Sequence, residues 1–342
     1  MNILAKSLAV KYRPQDFESI CGQQSIIKIL TKQLETHNIA HCYLFSGPSG
    51  TGKTTTCRAL AKLINNNCGE PIEIDAASHS GVDDVRAIIG TAVERSVDSE
   101  YKIFIIDECH SLSNAAWQAF LKCIEEPPEY TIFMFCTTNP EKVPETIQNR
   151  VMRFNLTKID TNSIKNRLEY ICQQEGFINY IEACDYIAKI SNGGMRDAIA
   201  TLEKCADYDN DLSIDNVLEC IGDFSYESLF NFTADLYASD PGEVLMTINK
   251  YYNDGFDLKQ FIERYLDFVL DLTKYCIYND INMVKIPSSL KERCDRFAAI
   301  PDILEYSANL VEKILKIKMD IKHDINNKTT IEALFLAIAR GN

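Results

Sequence analysis

A short glycine-rich run near the start of the sequence has the spacing of a phosphate-binding loop. In GPSGTGKT, Gly47, Gly52, Lys53 and Thr54 fit the pattern G-x-x-x-x-G-K-[ST], which a chain of this length would match by chance roughly one time in a hundred. Glycines let backbone N–H groups approach phosphate oxygens, the lysine reaches the β and γ phosphates, and the threonine hydroxyl can hold Mg²⁺. We therefore predict a nucleotide site, against the alternative of a glycine-rich turn without a ligand, formed by Gly47, Pro48, Ser49, Gly50, Thr51, Gly52, Lys53 and Thr54.

Two acidic residues, Asp107 and Glu108, end the apolar run KIFII. Ligands of parallel α/β sheets bind at the carboxyl ends of the strands, so this pair is expected beside the glycine-rich loop. We predict that Asp107 binds Mg²⁺ and that Glu108 orients and polarises an attacking water. The alternative is that both acids cap the next helix, whose pattern begins near Ser113.

Two weaker features lie further along the chain. FCTTNP ends the next apolar run with two hydroxyls and an amide, which can hold a water near a γ-phosphate but are also common in turns. Arg196 falls in the first turn of a predicted helix, where the helix dipole disfavours a cation by a few tenths to about 1 kcal/mol. A nearby phosphate would offset that cost, although a solvated arginine remains the alternative.

The elements that must position these residues alternate between strands and helices. Over 42–155 we predict five strands, CYLF, PIEI, KIFII, TIFMF and VMRFN, separated by helical segments. This alternation predicts an α/β fold, with a parallel sheet covered by helices on both faces. From about residue 158 no strand is predicted, and helices are separated by breaks at 175–177, 191–194, 240–242 and 253–257.

The length of 342 residues exceeds what one hydrophobic core usually serves. We predict an α/β domain over 1–157, a small helical domain over 158–213 and a larger all-α domain over 214–342. Within the last, one helix over 258–278 is expected to bury a stripe of apolar side chains: Phe261, Tyr265, Phe268, Val269, Leu272 and Cys276. Trp117 lies on a helix near the expected surface, where it could contact a partner, but an aromatic side chain there is more often part of the core.

The composition and charge argue against a chain that is basic throughout, a disulfide-rich chain and a membrane-spanning one. The net charge of −14 offers no overall attraction to nucleic acid, so any such contact must be local. Thirteen cysteines occur without a C-x-x-C pair, and several lie in apolar runs, which suits a reducing compartment. The sequence has no signal-peptide pattern and no apolar stretch of eighteen residues. We expect a cytoplasmic protein without a membrane partner.

Taken together, these motifs resemble the motor subunits of bacterial sliding-clamp loaders, the DNA polymerase III gamma/tau family of AAA+ ATPases. The resemblance spans nearly all of residues 8–205, with the motifs in the family's order and spacing, and covers the helical remainder less specifically. It rests on KYRPQDFESICGQ, HCYLFSGPSGTGKTTTCRALAK, IEIDAASHSGVDDVR, FIIDECHSLSNAAWQAFLKCIEEPPEYTIFMFCTTNPEKVPETIQNR and NGGMRDAI.

The resemblance implies roles for particular residues. It makes the glycine-rich loop the ATP site, with Mg²⁺ held by Thr54 and Asp107, and Lys53, Asp107 and Glu108 as catalytic residues. Thr138 would sense the γ-phosphate. Arg196, in the helical domain over 158–213 that corresponds to the family's lid, would be a second sensor. Arg150 would enter the ATP site of the neighbouring subunit. The adenine would pack against Arg13, Pro14, Gly22 and Gln23.

Three departures from the family pattern carry expectations of their own. INNNCGEP replaces the family's four-cysteine module, so no zinc is expected. Asn149 and Val151 replace the serine and cysteine that usually flank the arginine at position 150. His79 and Gly81 stand where the family tends to place basic residues before the helix containing Arg86, which would weaken DNA binding and flatten its salt dependence. The tail of the longer family form is also expected to be absent.

The implied function is ATP-dependent loading of a sliding clamp onto primed DNA, as part of a DNA polymerase holoenzyme. Its partners would be the clamp, primed DNA, the DNA polymerase and other loader subunits. The resemblance implies a homo- or hetero-oligomeric ring, which would be pentameric. The last helical domain would form the collar through which this ring assembles. Two alternatives remain: another AAA+ motor, for branch migration or initiator loading, and a scaffold subunit that does not turn over ATP.

Overall fold

The structure is a computed structural model that describes residues 6–321 and 327–340. The outer ends of the first and last predicted domains therefore lie outside the described residues. The chain divides into two compact units. One extends to Ile171 and resumes over Ser191–Glu203, and the other comprises Cys172–Ile190 and the chain from Lys204 onward.

A five-stranded parallel sheet forms the centre of the first unit. Its strands lie in the order β2-β3-β4-β1-β5, with every neighbouring pair parallel. All five predicted strands are confirmed within one or two residues: β1 Cys42–Ser46, β2 Ile72–Asp75, β3 Lys102–Asp107, β4 Thr131–Thr137 and β5 Met152–Asn155.

Helices cover both faces of this sheet, as the continuous apolar runs of its inner strands require. β1 and β4 are buried along their whole length, whereas the edge strand β2 is largely exposed. Trp117 and Phe120 pack on one face, and Leu30 and Leu60 pack on the other. Trp117 is 2% exposed, which confirms its place in the core. The helices of this part are α1 Leu8–Lys11, α2 Gln24–Glu35, α3 Lys53–Ile64, α4 Val82–Ala92, α5 Asn114–Glu125 and α6 Glu145–Gln148.

The rest of the described chain contains helices and no further strand. An isolated β-bridge joins Ile178 to Asp211. The predicted breaks at 175–177, 191–194, 240–242 and 253–257 fall at or directly beside helix ends. The helices are α7 Thr161–Glu175, α8 Tyr180–Ile190, α9 Met195–Tyr208, α10 Ile214–Ile221, α11 Tyr226–Tyr237, α12 Pro241–Asn253, α13 Leu258–Tyr278, α14 Lys291–Ala298, α15 Ile303–Asp320 and α16 Asn327–Ala339.

The long helix α13 confirms most of the predicted apolar stripe. Five of its six residues are fully buried, whereas Cys276 is only half-buried and the adjacent Tyr275 is buried instead. None of the helices in the two described ranges is long and apolar enough to cross a membrane.

The predicted lid domain, 158–213, is shared between the two compact units. Its first boundary falls between the end of β5 and the start of α7, and its second coincides with Ser213, whose hydroxyl caps α10. The three-domain division stays a prediction.

Candidate active site

The glycine-rich loop connects β1 to α3 in a conformation that only glycine tolerates at its first position. Gly47 has φ +144°, and a Cβ there would lie 2.3 Å from the carbonyl oxygen of Leu156. Its N–H donates to the carbonyl of Thr137 on β4 at 3.2 Å. The loop is therefore fixed against the carboxyl ends of two strands, which places the first turn of α3 at the cavity beside it.

Lys53 begins α3 and turns its ammonium group back into the loop. The side chain is 7% exposed, and Nζ donates to the carbonyl oxygens of Gly47 and Pro48, each at 3.0 Å. A buried ammonium held by two neutral carbonyls has no counter-charge, so a phosphate entering the loop would supply one. This arrangement fits a nucleoside triphosphate.

Thr54 and Asp107 meet across the cavity. The Thr54 hydroxyl donates to Asp107 Oδ2 at 2.8 Å, and Asp107 Oδ1 accepts the N–H of Glu108 at 2.9 Å. A hydroxyl and a carboxylate together are the oxygen ligands that Mg²⁺ takes beside substrate phosphates. These two residues fit the predicted metal site.

Glu108 adopts a left-handed backbone conformation, φ +46°, directly after β3. Its Oε2 lies 3.2 Å from the Thr138 hydroxyl, which donates to it, and 3.2 Å from His110 Nδ1. The helix that follows is capped by Ser113, whose hydroxyl accepts the N–H of Ala116. The acids therefore do not serve as caps of α5, and the carboxylate of Glu108 is held in place by side chains.

Two arginines, Arg13 and Arg196, line the same cavity. Arg196 follows Met195, whose N–H donates to the carbonyl of Gly50 at 3.0 Å, so the start of α9 is fixed to the loop. Burial lowers the pKa of Arg13, and the charges of Arg58 and Arg196 lower it further. Guanidinium groups stay charged in proteins, so this cluster favours an anionic ligand.

Most of the predicted site residues line one cavity, but not all of them. Gly47 and Pro48 contribute their carbonyls to Lys53, and Thr138 contacts Glu108, without lining it. The Gln23 side chain is instead hydrogen bonded to the backbone of Thr157 in both directions, and Gly22, φ +69°, precedes it. The predicted adenine contact of Gly22 and Gln23 stays a prediction. The predicted residues that line the cavity are Arg13, Pro14, Ser49, Gly50, Thr51, Gly52, Lys53, Thr54, Asp107, Glu108 and Arg196.

Several residues at this site were not predicted from the sequence, among them Arg167, Tyr12 and His110. Arg167 on α7 donates to the carbonyl of Tyr12 at 2.7 Å, and both line the cavity, but about 150 residues separate them in sequence. No local pattern could have joined them. His110 is different, because its position two residues after Glu108 was a visible signal that a side chain could hold that carboxylate.

Arg150 does not line the cavity of its own chain. It follows α6, where its Nε lies 2.8 Å from Glu125 Oε1 and its Nη1 donates to the carbonyl of Thr146 at 2.8 Å. The side chain is 41% exposed. Val151 is buried in the core with Ile147, so the arginine stands on a fixed part of the surface.

Replacing Thr54 with alanine is expected to raise the Mg²⁺ concentration for half-maximal ATP hydrolysis by roughly 10- to 100-fold. The change removes a predicted metal ligand and the hydrogen bond that orients Asp107. A Mg²⁺ titration of the hydrolysis rate measures the effect. Thr54→Ser keeps the hydroxyl and should behave like the unchanged chain. An unshifted Mg²⁺ dependence in Thr54→Ala would exclude Thr54 as a ligand.

The expected absence of zinc stays a prediction. Throughout residues 6–321 and 327–340, no group of three or more histidine, cysteine or acidic side chains is placed to hold a metal ion. None of the thirteen cysteines forms a disulfide, and Cys68, in the segment that replaces the four-cysteine module, is exposed.

Comparison with known proteins gives related sequences from one group. The family model described as DNA polymerase III, delta subunit, matches residues 70–160. DNA polymerase III subunit tau of Bacillus subtilis (strain 168) is 33% identical over 84% of this chain and 56% of its own length. DNA polymerase III subunit gamma of Buchnera aphidicola subsp. Schizaphis graminum is 30% identical over 96% of each chain. This chain spans about half the length of the tau and gamma/tau relatives, including Escherichia coli tau at 48%.

Solved structures of lower identity share the fold. The Thermotoga maritima RuvB Holliday junction branch migration motor superposes with a TM-score of 0.53 at 21% identity, over 75% of this chain and 90% of that one. A point variant of the same protein gives the same TM-score of 0.53 at 20% identity, over 76% of this chain and 90% of that one. At this identity the likeness concerns architecture alone. It agrees with a parallel sheet of the AAA+ type followed by helices.

Proposed function

This chain belongs to the family of DNA polymerase III gamma and tau subunits, and from that premise we propose that it is an ATP-hydrolysing subunit of a sliding-clamp loader. The observation that carries the proposal is the cluster at one edge of the sheet. Lys53 lies buried without a counter-charge, Thr54 is bonded to Asp107, and Glu108 stands beside them. A scaffold subunit that does not turn over ATP would not need this arrangement.

The residues of the site divide the work of phosphoryl transfer. Loop N–H groups and Lys53 bind the phosphates, and Arg196 adds positive charge from α9. Mg²⁺, held by Thr54 and Asp107, would supply charge neutralisation at the β and γ phosphates. Glu108 orients the attacking water and accepts its proton, while Thr138 and His110 keep its carboxylate in position. Contact between Thr138 and Glu108 lets the γ-phosphate sensor act on the catalytic acid.

Assembly is the second part of the proposal. Arg150 lies away from its own cavity, which supports a role at the ATP site of an adjacent subunit. The chain would therefore work in a ring, pentameric by family resemblance and joined by a helical collar over 214–342. Its partners would be a sliding clamp, primed DNA, other loader subunits and the DNA polymerase. Thirteen cysteines without a disulfide support a reducing, cytoplasmic setting.

DNA contact by α4 is expected to be weak. Arg86 lies 3.1 Å from Asp83 on the same helix, and His79 lies 3.8 Å from Asp84. These exposed pairs are weak, so the expectation rests on the small number of basic side chains beside α4 rather than on the pairs themselves. Fewer phosphate contacts release fewer counterions, so the salt dependence of DNA binding should be shallow.

Stimulation of ATP hydrolysis by a sliding clamp together with primed DNA tests the proposal. The purified chain, alone and with its loader subunits, is expected to hydrolyse ATP slowly, and the clamp and primed DNA together are expected to raise the rate more than either does alone. Stimulation by four-way junction DNA without a clamp would instead identify a branch-migration motor. No response to clamp and primed DNA in the assembled complex would overturn clamp loading.

A further inference from the structure

A groove on the second compact unit combines aromatic, apolar and arginine side chains. It lies between α11 and α14 and has a volume of about 280 Å³, at the low end of ligand pockets. The lining residues on α11 span two turns of that helix. Those on the α14 side, which include Ile300 just after the helix ends, recur at intervals of three and four positions. The lining consists of Phe230, Asn231, Thr233, Ala234, Tyr237, Arg293, Arg296, Phe297 and Ile300.

The two arginines of this groove have no acidic partner. Neither Arg293 nor Arg296 has a carboxylate within 4.0 Å among the residues that the structure describes, although acidic residues outnumber basic ones 49 to 35 in the chain. Arg293 donates to the side-chain oxygen of Asn231 at 2.7 Å, and its guanidinium lies 4.9 Å from the ring centre of Phe230. A neutral amide and an aromatic ring therefore hold this cation at the groove without neutralising it.

We propose that the groove between α11 and α14 binds a short segment of a partner protein that carries a carboxylate side chain beside an apolar or aromatic one. Guanidinium groups pair with carboxylates through two parallel hydrogen bonds, and Arg293 is already oriented by Asn231. Phe297 and Ile300 give an apolar wall for the neighbouring side chain. This combination of apolar anchors and a charged contact is typical of helix-in-groove and acidic-motif recognition.

The surroundings favour a single carboxylate over a nucleic acid. The chain carries a net charge of −14, and Asp235 lies directly after the groove residue Ala234. Burial, and then the charges of Glu243 and Asp240, raise the pKa of Asp235, so three carboxyl groups lie close together near the end of α11. A phosphate backbone would be repelled along its length, whereas one carboxylate needs only the two arginines.

Selection from a random peptide library tests the proposal without assuming the partner. Phage displaying random twelve-residue peptides are selected on the full purified chain and counter-selected on the double variant Arg293→Ala, Arg296→Ala. Both arginines are at least partly exposed, so the variant should fold. Peptides that depend on the groove are expected to carry Asp or Glu next to Leu, Phe, Tyr or Trp. If no peptide depends on the groove, or if those that do lack acidic residues, the proposal is wrong.

Fluorescence anisotropy with one selected peptide gives the second measurement. Converting its acidic residues to amides is expected to weaken binding at least about tenfold. The amide leaves the arginines without a charged hydrogen-bond acceptor. The double arginine variant should weaken it similarly. Lys291→Ala, which removes an exposed cation from the same helix outside the groove, serves as the matched control and should bind normally. Equal affinity for the amide peptide would overturn the proposal.

The same samples also test two other occupants of the groove. Stronger binding of a single-stranded oligonucleotide than of the acidic peptide, lost in the double arginine variant, would identify a nucleic-acid site instead. A change in self-association of that variant during sedimentation, without peptide binding, would identify a second copy of the chain. Basal ATP hydrolysis should be unchanged in the variant, so failure of this inference is distinguishable from failure of the proposed ATPase.

Discussion

The variant Arg150→Ala is expected to bind ATP as the unchanged subunit does, while clamp- and DNA-stimulated hydrolysis falls by about 10³- to 10⁵-fold. An arginine supplied to a phosphoryl-transfer site stabilises the charge of the transition state by about 4 to 7 kcal/mol. Arg150 does not line its own cavity, so its loss should not reach the ATP site of the same chain. Nucleotide titration of the isolated subunit, and steady-state hydrolysis in the assembled complex, measure the two effects separately.

Arg153→Ala is the matched control for this variant. Arg153 lies three residues further along, is exposed and donates to Gln148 Oε1 at 3.1 Å, so its removal takes away the same charge from the same surface. Its effect on hydrolysis should be small. Loss of ATP binding by the isolated Arg150→Ala subunit would show that Arg150 serves its own site. Mixing Arg150→Ala with Lys53→Ala subunits then identifies which interface restores hydrolysis.

The altered residues beside Arg150 do not loosen its position. Val151 is buried in the core with Ile147, and Asn149 ends α6. The guanidinium itself is paired with Glu125, and both side chains are about two-fifths exposed. A surface ion pair of this kind contributes about 0 to 1 kcal/mol, well below the roughly 4 to 7 kcal/mol available from a phosphoryl transition state. Arg150 could therefore leave Glu125 for a neighbouring site at little cost.

Short-range patterns accounted for most of the fold. The inner strands β1, β3 and β4 were predictable because buried parallel strands are continuous apolar runs. The largely exposed β2 and β5 were predictable as short β-rich runs between helical patterns. The break at 253–257 contains Gly255, which adopts a positive φ between α12 and α13. The pairing of Thr54 with Asp107 was also foreseeable, since both lie where strands of a parallel sheet end. These predictions depend on residues close in sequence or on a general property of the sheet.

Contacts between distant segments could not be predicted in the same way. Nothing in the sequence joins Arg167 to Tyr12, or indicates that Gln23 is bonded to the backbone of Thr157. Likewise, the burial of Tyr275 in place of Cys276 depends on how α13 is rotated against its neighbours, and a stripe read at intervals of three and four does not fix that rotation. Tertiary packing decides such details.

Replacing Lys53 with alanine is expected to lower ATP hydrolysis by about 10³-fold or more, to background, in the presence of clamp and primed DNA. Removing one preorganised donor from a site where charge develops costs about 10² to 10³ in rate, and Lys53 also carries the charge that binds the β and γ phosphates. Nucleotide affinity should fall as well. Direct binding of a fluorescent ATP analogue and steady-state hydrolysis measure the two losses.

The loop itself should survive this change, so the loss can be assigned to the ammonium group. The carbonyl of Pro48 still accepts the Thr51 hydroxyl at 2.8 Å, and Gly47 remains bonded to Thr137 on β4. Lys62→Ala on the same helix removes an ammonium group that contacts Gln15 rather than the loop, and it should hydrolyse ATP normally.

If Lys53→Ala loaded clamps as well as the unchanged chain, ATP turnover at this site would be dispensable and the chain would act as a scaffold. The burial of Lys53 beside two neutral carbonyls argues for the opposite result, because an unpaired buried charge is costly to keep unless a ligand uses it.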